Sequence, residues 1–267
     1  MAALAHWTAI ALYLATTLML ATNLIRHKNT SGDRLALALL ACALVAHGIS
    51  LFFTLHTANG FRLDLLAMMS LISWLVTLLL LLLSGRHQLT LLILAMAPLC
   101  ALSEIAAAHT AGGAIPRQQI SAGIAAHIVL SITAYSLLTL ATLQALYLYW
   151  LNQQLHNHRP GGISRFLPPL QTMESLLFGL IALGQILLTA ALITGFIFVQ
   201  DLFGQHLVHK TALSILAWLL YGVLLWGHWR EGWRGNTAVR WTLCAFAVLM
   251  LAFFGSKLAL EVILQKG

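Results

Sequence analysis

The chain has 267 residues, 60% of them hydrophobic and only 8% charged, against roughly 25% charged in an ordinary soluble domain. So few charges cannot cover a water-soluble surface, which excludes a soluble enzyme, a disordered chain and a disulfide-stapled secreted module. The net charge of +7 argues for no nucleic-acid partner, because in a membrane chain the position of each basic residue relative to the bilayer is what counts.

About 20 mostly apolar residues are needed to cross roughly 30 Å of hydrocarbon. Eight runs meet this requirement: roughly 4–25, 35–55, 64–83, 89–108, 122–150, 173–199, 210–228 and 240–262. They predict an all-α, polytopic integral membrane helix bundle of about eight transmembrane helices, a single transmembrane domain over 1–267. The first run has no basic residue ahead of it, and Arg26 and Lys28 follow it directly. That order is not that of a cleavable signal, and it inserts the N-terminus outward. The connections after spans one, three, five and seven hold nine basic residues: Arg26, Lys28, Arg34, Arg86, Arg159, Arg165, Arg230, Arg234 and Arg240. The opposite side holds four, namely Arg62, Arg117, Lys210 and Lys266. Positive charge stays inside, so both termini are expected outside, on the periplasmic face of a bacterial inner membrane.

The longest connections, about 109–121 and 151–171, are too short to house a soluble domain. Small residues in the sixth run, Gly179, Gly184 and Gly195, suit close helix packing in lipid. Cys42, Cys100 and Cys244 sit in apolar runs. With no C-x-x-C and no C-x-x-C-H, neither a redox pair nor a covalent haem site is expected.

Ionisable groups inside a span are costly and raise a functional question by default. His47 lies in the second span and His127 near the outer end of the fifth. Ser131, Tyr135, Thr139 and Thr142 follow His127 at spacings of four, four, four and three. At about 100° per residue these five fall in one arc of about 120°, a polar stripe that faces other helices or a cavity rather than lipid. His206 and His209 precede the seventh span, so four histidines are expected near one level in the outer half. Neutral imidazole is the usual ligand of haem iron, and histidines on neighbouring helices suit a haem clamp. The plainer alternative is that each one hydrogen-bonds a neighbouring helix. His27, His87, His156, His158 and His228 sit at the inner surface among arginines and read as interfacial residues or charge anchors.

Glu104, Asp64, Asp201 and Glu261 fall at outer span ends, with Arg62, Arg117 and Lys210 on the same side. Either they form a mutually satisfied rim or they bind propionates or a partner loop. Lys257 and Glu261 are four apart and share a helix face. Glu174 reads as a first-turn residue of the sixth helix, favoured there by the helix dipole. The chain has no H-E-x-x-H, G-x-S-x-G, P-loop or clustered acidic pair, so no catalytic residue is expected. Trp218, Trp226, Trp229, Trp233 and Trp241 form an inner interfacial belt.

Four blocks in the second half resemble the cytochrome c assembly membrane proteins, in their short CcsA-like, HemX-like branch. They are AHIVLSITAYSLLTLATLQALYLYWLNQQL (126–155), LPPLQTMESLLFGLIALGQILLTAALITG (167–195), KTALSILAWLLYGVLLWGHWREGWRGNTAVRW (210–241) and AFFGSKLALEVIL (252–264). The resemblance covers about 120–264, and the first four spans only by layout. It places His127 at a haem-ligand position and Gly232 to Gly235 at the family's G-W-R-G turn. Two features depart from it. The stretch QDLFGQHLVHK (200–210) has no tryptophan where the full-length proteins carry a tryptophan-rich loop that presents haem, and no histidine follows His228. Haem attachment to apocytochrome by this chain alone is therefore not expected.

Two functional readings follow. In the first, the chain binds or passes haem b near the outer leaflet, in cytochrome c maturation or haem homeostasis. His127 is then one axial ligand, with His47 or His209 as the other, and no further cofactor is expected. In the second, it is a non-catalytic accessory subunit that keeps the fold without haem and stabilises or regulates another membrane protein.

Overall fold

The computed structural model describes residues 2–26, 31–57, 60–85, 89–108, 114–115, 121–156, 170–198 and 208–255. Among them eight helices follow in order: α1 (Ala2–Ile25), α2 (Ser31–Leu55), α3 (Leu65–Ser84), α4 (Thr90–Ala108), α5 (Ala122–His156), α6 (Leu170–Phe198), α7 (Val208–Glu231) and α8 (Gly235–Met250). A π-helical segment, Leu251–Gly255, extends α8. Each of the eight is long and apolar enough to cross a membrane, and the fold is the all-α membrane bundle that composition dictates. Helices prevail because a backbone in hydrocarbon must satisfy its own hydrogen bonds. The side chains left outward are those lipid accepts, among them Leu14, Leu18, Val45, Leu102, Ile186, Ile193 and Val223.

Contacts divide the chain into two compact units, Met1–Gln119 and Ile120–Gly267. In the first, α1 packs against α2 and α4, and α3 against α4. Its fully buried side chains include Tyr13, Leu40, Leu80 and Ile93. In the second, α5 packs chiefly on α6 and then on α8, while α7 packs on α8 and α6. Leu138, Leu148, Leu177, Ile181, Tyr221 and Leu224 are buried there.

Three strands add a feature that hydropathy does not signal. β1 (His56–Thr57), β2 (Gly60–Arg62) and β3 (Ala114–Ile115) form a small antiparallel sheet in the order β1-β2-β3, with His56 opposite Phe61 and Phe61 opposite Ile115. The turn rests on Gly60, whose φ of 146° suits a residue without Cβ. At the end of β2, Arg62 grips Asp64 through Nε at 2.6 Å and Nη2 at 3.2 Å, and Nη2 also donates to the Ala107 carbonyl at 3.2 Å.

The α7–α8 turn also departs from expectation, since α8 starts at Gly235 rather than near 240. Gly232 and Gly235 take φ of 69° and 55°, the left-handed region that glycine reaches at least cost. The turn folds back so tightly that Trp233 N–H donates to the Gly227 carbonyl at 3.2 Å. Glu174 is the fifth residue of α6, beyond its first turn. Its carboxylate accepts the Gly235 N–H at 2.9 Å, so it caps the start of α8 rather than serving its own helix. Lys257, Glu261, His206, Asp201 and Arg117 lie outside the described residues.

Candidate functional site

His127 lies in the second turn of α5, half-buried. Its Nδ1–H donates to the Ala191 carbonyl of α6 at 2.8 Å, and the Thr194 hydroxyl stands 3.5 Å from the same nitrogen. With Nδ1 committed as donor, Nε2 carries the lone pair. This is the arrangement seen in metal-ligating histidines, where an oxygen acceptor behind the ring sets tautomer and orientation. Gly195 makes room for the ring, since a Cβ there would stand 3.0 Å from His127 Cε1 and 3.2 Å from Nδ1. The donor set and the cradle would suit a histidine that holds haem iron.

The stripe below His127 is less polar than its spacing implies. Thr139 and Thr142 return their hydroxyls to the carbonyls of Tyr135 and Leu138 at 2.8 Å each, the usual intrahelical bond of threonine in an apolar helix. Tyr135 sits among Phe246, Phe253 and Phe254, with ring centroids 5.4–5.6 Å away. Its buried hydroxyl has no hydrogen-bond partner among the described residues. His209 is the second residue of α7 and is exposed. The neighbouring Lys210 holds its ammonium 5.4 Å from the Phe253 ring centre.

His47, in α2, is fully buried and belongs to a different group, in the first unit. Its Nδ1 pairs with the Tyr13 hydroxyl at 3.0 Å. Its Nε2 lies 2.8 Å from Glu104 Oε2 and 2.8 Å from Ser70 Oγ. Ser70 also donates to Glu104 Oε2 at 3.1 Å. The other carboxylate oxygen takes the Nδ1–H of His6 at 3.0 Å. Thus α1, α2, α3 and α4 each supply a polar side chain to one buried knot.

Glu104 is therefore not a rim residue. It is 2% exposed, and its partners are histidines rather than arginines. The rim that does form on this unit is Arg62 with Asp64. Sequence reasoning brought out His47 and Glu104 but missed His6, Tyr13 and Ser70. A signal was present, because His6 and Tyr13 are seven apart in α1 and so share a helix face.

In the second unit, His228 stacks on Phe178 with ring centroids 3.5 Å apart, and its Nδ1–H donates to the Trp233 carbonyl at 2.9 Å. It locks the glycine turn instead of standing free as an interfacial charge. Among the described residues no group of three or more His, Cys, Asp and Glu could hold a metal ion. An apolar groove between α2 and α3, lined by Val45, Gly48, Phe52 and Trp74 among others, offers no polar chemistry.

The cytochrome C assembly protein family matches residues 35–264, which takes in His47, Glu104, His127, His209 and the glycine turn but not His6. Inner membrane protein YpjD of Escherichia coli K12 is 32% identical over 257 residues, covering 96% of this chain and 97% of that protein. The YpjD of E. coli O157:H7 is similar to the same degree. An uncharacterized 28.8 kDa protein of Azospirillum brasilense is 36% identical over 140 residues, about half of each chain. Eight spanning helices and a full-length inner-membrane relative make this a multi-pass inner-membrane protein. A family match over residues 35–264 and a relative 32% identical over 96% of the chain make it a member of the cytochrome C assembly protein family.

Proposed function

We propose that this protein handles haem b near the outer leaflet, binding or passing it in cytochrome c assembly or haem homeostasis, with His127 as an axial ligand. The observation that carries the reading is the Nδ1–H bond from His127 to the Ala191 carbonyl at 2.8 Å. It leaves Nε2 as a lone pair without a hydrogen-bond partner among the described residues, on a ring that Gly195 accommodates. Haem, when bound, supplies an iron that accepts imidazole nitrogen. What the chain contributes is a ring held in one tautomer between α5 and α6. For a second ligand, His209 is the better choice than His47, because His209 is exposed while both ring nitrogens of His47 are engaged. Both termini lie outside in this reading, which puts His127 and His209 on the periplasmic side.

The test is the visible spectrum of the full-length protein expressed with ample haem. The wild type should show a Soret band, His127→Ala should shift it and weaken haem retention, and His156→Ala should leave it unchanged. A wild type with no Soret band that also takes up no added haemin would sink this reading.

The missing tryptophans in 200–210 favour a second reading, an accessory subunit that stabilises or regulates another membrane protein. A partner co-purifying with a haem-free wild type would support it.

A further inference from the structure

The polar knot of the first unit is not used by the haem reading, and it poses a charge problem of its own. His6, His47 and Glu104 are 8%, 0% and 2% exposed, all within helices that span the membrane. The Glu104 carboxylate accepts from His6 Nδ1–H, His47 Nε2–H and Ser70 O–H, and the buried Ser50 hydroxyl of α2 is also within hydrogen-bonding reach. Donors converging on both oxygens describe an anion. If both imidazoles are neutral, the knot carries one uncompensated negative charge in a medium that penalises it heavily.

The other titratable groups facing the knot do not remove that charge. From α1 comes Tyr13, bonded to His47 Nδ1. From α4 comes the Cys100 thiol, which lies within hydrogen-bonding reach of Tyr13 and is bonded to Thr77 and Ser73 of α3. Near the end of α4, Arg62 is paired with Asp64 and donates to the Ala107 carbonyl. A metal ion is an unsuitable counter-charge, because the carboxylate oxygens are already taken by donors and no metal-binding group is found among the described residues.

We propose that His6, His47 and Glu104 form a proton-binding site in which one extra proton, held on His47, neutralises Glu104. The hydrogen bonds choose His47 over His6. His47 has an oxygen at each ring nitrogen, so as imidazolium it donates Nε2–H to Glu104 and Nδ1–H to Tyr13. His6 has an acceptor only at Nδ1. Its buried Nε2 has no partner, and a proton there would leave a buried cationic N–H unsatisfied, which is costlier than an idle lone pair. The balance is simple: one proton enters, the knot passes from charge −1 to neutral, and no bond other than N–H forms. Proton loss leaves Glu104 uncompensated between α1, α2 and α4. Occupancy of this site is thereby coupled to the packing of the N-terminal unit, independently of haem.

The test is ring ¹⁵N NMR of the full-length protein, histidine-labelled, in lipid nanodiscs at about pH 8, more than one unit above the ordinary histidine value of about 6.5. The expected spectrum holds one imidazolium with both ring nitrogens protonated, lost in Glu104→Gln. Tyr13→Phe keeps the ring and removes the acceptor at Nδ1, so it should weaken the imidazolium signal even if Glu104→Gln does not fold. Infrared spectra of the same samples report any protonated carboxyl. A wild type with neither an imidazolium nor a protonated carboxyl would overturn the site. A protonated carboxyl with neutral imidazoles would overturn the assignment to His47, as would an imidazolium unchanged in both variants.

Discussion

Gly227→Ala is the sharpest structural test of the turn that joins α7 to α8. A Cβ at Gly227 would stand 2.4 Å from Trp233 Cε3, 2.5 Å from Cδ2 and 2.8 Å from Cζ3. Ordinary contact begins at 3.4 Å, so the overlap reaches 3.4 − 2.4 = 1.0 Å on a rigid ring. Trp233 cannot simply swing away, since it stacks on Trp241 at 5.4 Å and its backbone is tied to the Gly227 and His228 positions. Overpacking of this kind costs about 1–3 kcal/mol. Alanine returns roughly 0.5–1 kcal/mol of helix preference over glycine, leaving a net loss of about 0–2.5 kcal/mol and about 1 kcal/mol at mid-range. For a chain of this size each kcal/mol corresponds to about 2–4 °C in Tm. Thermal unfolding in mild detergent, followed by tryptophan fluorescence, reads the loss and also any change in the Trp233–Trp241 stack. Gly179→Ala in α6 is the matched control, because nothing lies within 4 Å of its Cβ position, and it should be neutral or slightly stabilising. Equal stability of the two variants would refute the steric argument.

Glu174→Ala should cost about 1 kcal/mol, as expected for loss of a side-chain acceptor at a helix start, because the Gly235 N–H loses its 2.9 Å partner. Ser175→Ala, whose hydroxyl only returns to its own helix at Gln171, should be close to neutral under the same denaturation, and an equal effect from both would remove the capping role. Orientation can be read with reporters that are active only outside the membrane. Fusions at Gly267 should work and fusions near residue 160 should fail, and the reverse pattern would reject the topology that the nine-to-four distribution of basic residues predicts.

Hydropathy alone determines that this chain is a bundle of eight membrane helices, because the bilayer tests only length, apolarity and backbone satisfaction, and all three are local properties. The G-W-R-G turn was legible only through the family resemblance, and the structure supplies its physical reason in the positive φ of Gly232 and Gly235. His127 could be singled out from its helix and the family blocks, but not its tautomer. That depends on Ala191, 64 positions away and on another helix. Glu104 shows the limit most clearly. Its place near a span end suggested a wet rim, with Arg62, Arg117 and Lys210 on the same side as available partners. The tertiary structure instead turns it inward, where His6, His47 and Ser70 converge from three other helices. Which face of each helix meets which neighbour is decided by packing between helices of nearly uniform apolarity. In such helices periodicity carries little information, so the partners of a buried charge emerge only once the helices are assembled.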